Sequence, residues 1–398
     1  MIDEELSKKA TFEDGVLLKS VHPIGTKLLT YAGERWRLKK IPFVGTIISD
    51  AVLIREVFME KNKFSKDGKG ASTSFWNPII GDYGLLNMEG ADHLALKRTV
   101  AGMFAKERVE LITETVISPI LDEASSDLSS GKSIDMVQIA EHIAYLSMWH
   151  IVGFSSEKLK DIDFSLAVKT LRSVTEGLNP TKKKFSANQI ATAKGKLVFL
   201  EELARDAYNN DNRDSIPLTL KKEGYSEEAA ISLTKSLFIA GTETVISFLP
   251  RMTALFVKTR YIDYLSEHPD HVTKGVEEAL RVTVPTPVAA RSVVEDTEFH
   301  GVKLKAGERL ILSTFGASKR FGDFNPFQDV DKGIRGLWFG AGVHMCIGVG
   351  IALTQAEIIG KFLANVNAEN ALEIYRQASD DKGHTGSYKE LILTCKPS

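Results

Sequence analysis

Only two cysteines, Cys346 and Cys395, occur in 398 residues, too few for a disulfide framework and in keeping with a reducing compartment. Charge of either sign is not in excess. The formal net charge of -2 gives no nucleic-acid signature, and local lysine clusters read as solvated faces. The opening Met1-Ile2-Asp3-Glu4-Glu5 lacks the basic-then-apolar pattern of a secretion signal. No uninterrupted apolar run reaches bilayer-spanning length, so a chain without a membrane span and a cytoplasmic location are the expectation. There is no Pro/Gly/Ser linker, internal repeat or long low-complexity tract to divide the chain, and the run from Lys66 to Gly70 reads as a local loop. With 43% hydrophobic residues the chain can bury a large core.

What is present concentrates around Cys346. It lies in Phe339-Gly340-Ala341-Gly342-Val343-His344-Met345-Cys346-Ile347-Gly348, a glycine-rich loop running into apolar residues at helical spacing (Ala352, Ala356, Ile359). A helix N-terminus near Cys346 favours a thiolate. One thiolate cannot build a tetrahedral zinc or iron–sulfur site. It can supply the single axial ligand that a haem iron takes from a protein. Upstream, Glu278-Ala279-Leu280-Arg281 places opposite charges three apart on a helix face, and Pro285 and Pro287 should end that helix. Ala240-Gly241-Thr242-Glu243-Thr244 lies in a long helical pattern from about 226 to 258, capped by Ser226, where Pro250 is expected to kink or interrupt the helix. Gly241 either permits close packing or opens room for a ligand, while the Glu243/Thr244 pair joins a carboxylate to a hydroxyl, a combination suited to proton delivery.

The spacing Phe-x-x-Gly-x-x-x-Cys-x-Gly over 339–348, with Glu278/Arg281 and the 240–244 segment in the same order, resembles the cytochrome P450 family, soluble bacterial type. The segment Ala290 to Gly301 resembles the corresponding region of the camphor-hydroxylating bacterial member, and Asp92 to Arg98 resembles a haem-facing helix of the bacterial members generally. The resemblance implies a mainly α fold with small β regions and one P450-like haem domain over 1–398. Cys346 would ligate the iron of haem b. Phe339, Gly340 and Gly348 would shape the cysteine loop, and His93, Lys97, Arg291 and His344 would contact haem propionates. Glu278 and Arg281 would lock the core behind the cofactor, and Gly241, Glu243 and Thr244 would form the oxygen groove. Two departures stand out. Lys97 stands where the family more often has arginine, and Ala317-Ser318-Lys319-Arg320 replaces a common Asn-Arg-Asp run.

The implied activity is monooxygenation of a compact hydrophobic molecule with dioxygen. A ferredoxin-type donor reduced by a flavin reductase would supply electrons across a basic face near Lys97, Arg98, Lys106 and Arg108. Peroxide-driven peroxygenation and non-catalytic haem binding or gas sensing are the alternatives. The resemblance maps Phe75, Trp76, Ile79, Ile80, Leu237, Phe238, Ala240, Val288, Ala289, Thr385 and Ser387 to the substrate pocket. Patterning adds an early hairpin from the alternation of Thr30, Ala32, Glu34, Trp36 and Leu38. Helices follow over 49–60, 91–103, 106–125, 136–152 and 187–208, with strands over 291–299 and 308–313. This order suggests an N-terminal β-rich subregion and a large helical body.

Overall fold

The computed structural model describes residues 3–68, 70–174, 185–210, 214–383 and 385–396. The chain opens with α1 (Glu4–Val21) and α2 (Pro23–Arg35), then β1 (Leu38–Ile41), β2 (Gly45–Ile48), α3 (Ala51–Met59), β3 (Phe64–Ser65), α4 (Ser72–Ile80) and α5 (Gly90–Val100). A helical body follows: α6 (Lys106–Ile112), α7 (Ser118–Ser129), β4 (Ile134–Asp135), α8 (Met136–Val152), α9 (Ser156–Lys160), α10 (Phe164–Val174), α11 (Ala187–Lys196), α12 (Val198–Asn210), α13 (Ile216–Lys222), α14 (Glu227–Lys258), α15 (Tyr261–Glu267) and α16 (Val272–Thr283). The remainder is β5 (Ala289–Val293), β6 (Thr297–Phe299), β7 (Val302–Leu304), β8 (Arg309–Leu312), α17 (Thr314–Lys319), α18 (Val349–Glu369), β9 (Leu372–Asp380) and β10 (Ser387–Cys395). The fold is mainly α with small sheets, as the sequence suggests.

The early hairpin is displaced from its expected place. Residues 30–35 complete α2, and the hairpin is β1 against β2, with Leu38 opposite Ile48. The apparent alternation over 30–38 therefore crosses a helix end. Gly33 is a close-contact residue, because a Cβ there would lie 2.6 Å from the Gly316 carbonyl oxygen. The strands of this region join distant ones in a five-stranded sheet ordered β1-β2-β8-β5-β3, in which only β2 and β8 run parallel. A second sheet, β4-β10-β9, and the β6-β7 pair complete the β structure of the described residues.

Helix α14 is the centre of the core. Ser226 caps it by accepting from the Ala229 N–H, and the helix continues through Pro250 without a break. It packs against α8, α12, α13, α16 and β10. Its burial is interrupted in the middle: residues 229–239 and 246–256 are buried, whereas Ala240, Gly241, Glu243, Thr244 and Val245 keep accessible surface. In a helix enclosed on all sides, that pattern marks a face on an interior space. Both α14 and α18 are long and apolar enough to cross a bilayer, but 72% of the apolar window of α14 is buried inside the protein.

A buried ion pair fastens α1 to this core. Arg251 donates through Nε and Nη2 to both oxygens of Asp14, each at 2.7 Å, and through Nη1 to the Gly386 carbonyl. Helix α1 thus has a packing role that local patterning did not suggest.

Candidate functional site

The cysteine loop is bent by two glycines in the left-handed region, Gly340 (φ 77°) and Gly342 (φ 66°). At Gly342 a Cβ would also press on the Phe58 carbonyl at 3.1 Å, so the loop lies directly against α3. The Cys346 N–H donates to the Phe339 carbonyl at 2.9 Å, which closes the loop, and Gly348 forms the N-cap of α18. Cys346 retains exposed surface yet is crowded by protein, as a residue lining an interior space is. That crowding pushes its thiol up, against the lowering influence of the Gly348 N–H, Lys97 and Lys66. The start of α18 alone therefore does not make a thiolate here; a metal that replaces the proton would. Cys395 ends β10 opposite Leu372.

Around this loop gathers a basic cluster. His93, 2% exposed, packs at 4.4 Å against His344 with the rings tilted by 48°, and both keep a buried Nδ1 without a hydrogen-bond partner among the described residues. His344 donates through Nε2 to Glu89 at 2.7 Å. Burial alone would raise Glu89, but the His344 bond, the Lys66 N–H and the charges of His344 and Lys66 hold it at about 2. Burial, with the neighbouring cations, holds His93 at about 4. Arg291 is buried, stacks over Phe58 at 5.1 Å, donates to the Ala290 carbonyl and is pushed down to about 10 by burial. Lys97 turns to the loop instead, donating to the carbonyls of Val343 (3.0 Å) and Met345 (2.6 Å). Its single ammonium thus bridges two carbonyls of the cysteine loop, without the planar fork an arginine would offer a carboxylate.

Sequence reading missed Lys66 and Glu89. Lys66 lies near Arg291, Glu89, Lys97 and Cys346, and burial pushes it down to about 7. Its neighbours are remote in sequence, and Lys69 of the same run lies outside the described residues.

On α16, Arg281 donates through Nε and Nη2 to both oxygens of Glu278 at 2.7 and 2.6 Å. Both side chains are buried. The same guanidinium holds the carbonyls of Ser318, Gly322 and Asp323, and Glu278 accepts the Asn325 N–H. The pair thereby organises 318–325, where the chain lacks the common Asn-Arg-Asp run.

On α14, Thr244 donates to the Ala240 carbonyl at 2.9 Å and Thr242 to that of Phe238 at 2.6 Å. Glu243 accepts from Thr385 at 3.4 Å and adds to the field around Arg172, which is itself bonded to Glu141 and Asp380. A Cβ on Gly241 would meet Met148 Sδ at 2.3 Å, so the side that lacks a side chain is filled by α8 and Gly241 permits close helix packing there. Of the pocket candidates, Trp76, Ala240, Val288 and Ala289 keep accessible surface. Phe75 packs on Phe185, Phe238 on Tyr145 and Phe154, and Ile79, Ile80, Leu237 and Ser387 are buried. Thr385 joins Glu243 rather than an apolar wall. On the proposed electron-entry face Arg98 is exposed, whereas Arg108 folds onto Met103 Sδ and the Asp214 carbonyl.

This donor set fits a haem. Among the described residues no three His, Cys, Asp or Glu side chains gather to hold a bare ion. One accessible sulfur, with buried cationic and imidazole groups beside it, suits a flat iron chelate bearing carboxylates.

Comparison with known proteins agrees at the level of fold. No protein-family model matches the chain. It is 24% identical over 352 residues to a biotin biosynthesis cytochrome P450 of Bacillus subtilis (strain 168), covering 86% of this chain and 85% of that protein. It is 25% identical over 291 residues to a vitamin D(3) 25-hydroxylase of Pseudonocardia autotrophica, covering 71% and 70%. The solved structure of P450BioI, in complex with an acyl carrier protein carrying hexadec-9Z-enoic acid, superposes with a TM-score of 0.77 at 20% identity, covering 96% of this chain and all of that one.

Proposed function

We propose that the chain, which shares the cytochrome P450 fold with bacterial proteins, is a haem-thiolate monooxygenase that inserts one oxygen atom of dioxygen into a compact hydrophobic substrate. The observation that carries this reading is one accessible cysteine sulfur in a glycine-bent loop, flanked by buried Arg291, His93 and His344. Cys346 would provide the iron ligand, and the three basic or imidazole side chains would hold the carboxylate edge. Haem b, when bound, supplies the redox chemistry of oxygen activation.

The remaining roles belong to the chain. Thr244 has given its one O–H to the Ala240 carbonyl, which leaves its lone pairs to accept a hydrogen bond from a proton-bearing ligand. Glu243, within the field of Arg172 and bonded by Thr385, would carry protons toward that position. Lys97 would hold the cysteine loop through the Val343 and Met345 carbonyls. Trp76, Ala240, Val288 and Ala289 would offer substrate an apolar wall. The likeness of the 290–301 segment to the camphor-hydroxylating enzyme is local and does not select a substrate.

Electrons would come from a ferredoxin-type protein and its flavin reductase, with exposed Arg98 on the docking face, in one cytoplasmic haem domain. A test supplies a panel of hydrophobic compounds with NAD(P)H, a ferredoxin and its reductase, or with hydrogen peroxide. Oxygenated product that depends on dioxygen and reducing equivalents supports the proposal. Product with peroxide alone would establish the peroxygenase, and haem binding without product in either mode would favour the sensor.

A further inference from the structure

We propose that Lys66 is an additional anchor for the two-carboxylate edge of the porphyrin, acting beside Arg291; the assignment rests on the haem-thiolate reading. Strand register supplies the first argument. β3 pairs antiparallel with β5 through Phe64–Val293 and Ser65–Ser292, so one step beyond the ladder Lys66 comes opposite Arg291. Residues opposite each other in antiparallel strands project to the same side, and like charges there repel.

The path of the chain holds Lys66 in this position. Its N–H donates to the Glu89 carboxylate. Its carbonyl accepts from both the Thr73 hydroxyl, at 2.5 Å, and the Thr73 N–H, at 3.2 Å. At Gly68 (φ +118°) a Cβ would stand 2.7 Å from Ser292 Oγ, so the turn is pressed onto the strand that carries Arg291. The ammonium therefore does not reach this neighbourhood by a free swing of the loop.

Charge balance supplies the second argument. Lys66, Arg291 and Lys97 gather here, yet among the described residues no carboxylate hydrogen-bonds the Lys66 ammonium or the Arg291 guanidinium. Glu89, the nearby carboxylate, already accepts from His344 and from the backbone of Lys66. Crowding also makes the Lys66 charge unfavourable on its own, which a bound anion would reverse. Two adjacent cations call for a ligand with two negative charges, and the paired carboxylates of haem b provide them.

The experiment measures haem transfer from the ferric protein to an apoglobin acceptor. It compares haem b with an iron porphyrin whose carboxylates are methyl esters. Lys66→Met should release haem b about tenfold faster or more, as loss of a charge-assisted bond implies, and leave release of the ester unchanged. Lys66→Gln should behave as Lys66→Met, and Lys66→Arg should restore slow release. Unchanged release of haem b, or equal acceleration with the ester, would overturn the assignment and leave Lys66 as a loop-packing residue. A wild-type carbon-monoxide spectrum without the thiolate form would instead defeat the haem-thiolate reading, and Lys66 with it.

Discussion

Replacing Arg281 by methionine tests the buried Glu278–Arg281 pair. The substitution leaves Glu278 charged and buried, with the Asn325 N–H as its one remaining donor among the described residues, and removes donors from the carbonyls of Ser318, Gly322 and Asp323. Breaking a buried, hydrogen-bonded ion pair by removing one partner costs about 3–5 kcal/mol. An unfolding entropy of about 2.1 cal/mol/K per residue gives about 0.8 kcal/mol/K for this chain, so the transition should drop by about 4–6 °C. Arg281→Lys should recover little, because one ammonium cannot span two carboxylate oxygens and three carbonyls. The control is Arg35→Met, whose partner Glu34 is exposed and whose ion pair contributes little. Thermal unfolding followed by circular dichroism reads all three. An Arg281→Met transition no lower than that of Arg35→Met would refute the reasoning.

Further outcomes follow from the same geometry. Thr244→Ala should retain haem and substrate binding but divert reducing equivalents to peroxide or water; an unchanged ratio of product to electrons consumed would remove Thr244 from proton delivery. Acidification should weaken the haem-free protein in two stages. His93 lies at about 4 against an ordinary 6.5, so the unfolded chain takes up its proton first and stability falls as pH drops from about 6.5 to 4. Glu89 lies at about 2 against 4.5, so its contribution is present above 4.5 and lost as pH falls toward 2. Denaturant midpoints across this range should show both stages, and His93→Asn should flatten the upper one; a wild-type profile flat from pH 7 to 4 would contradict the first.

Some of this architecture is legible in the sequence because its signals are local. Ser226 caps α14, Glu278 and Arg281 share one helical turn, and the glycines around Cys346 bend its own loop. The missed features depend on contacts between distant segments. Glu89 meets His344 across 255 positions, and Lys66 meets Arg291 only because β3 lies beside β5. Gly241 shows the same limit: sequence allows either packing or an oxygen groove, and the close contact comes from Met148 on another helix, which fills the space a Cβ would take. The displaced hairpin has a different cause. A period of two over a few residues also occurs by chance at a helix end, and Gly33, which fits a turn, also fits a close helix contact.

The most direct measurement of the central claim is the absorption spectrum of the reduced, carbon-monoxide-bound protein with its haem. Wild type and Cys395→Ala should give the strongly red-shifted thiolate form, and Cys346→Ala should lose it. An imidazole-type spectrum in folded wild type, or a thiolate form that survives Cys346→Ala, would contradict the account.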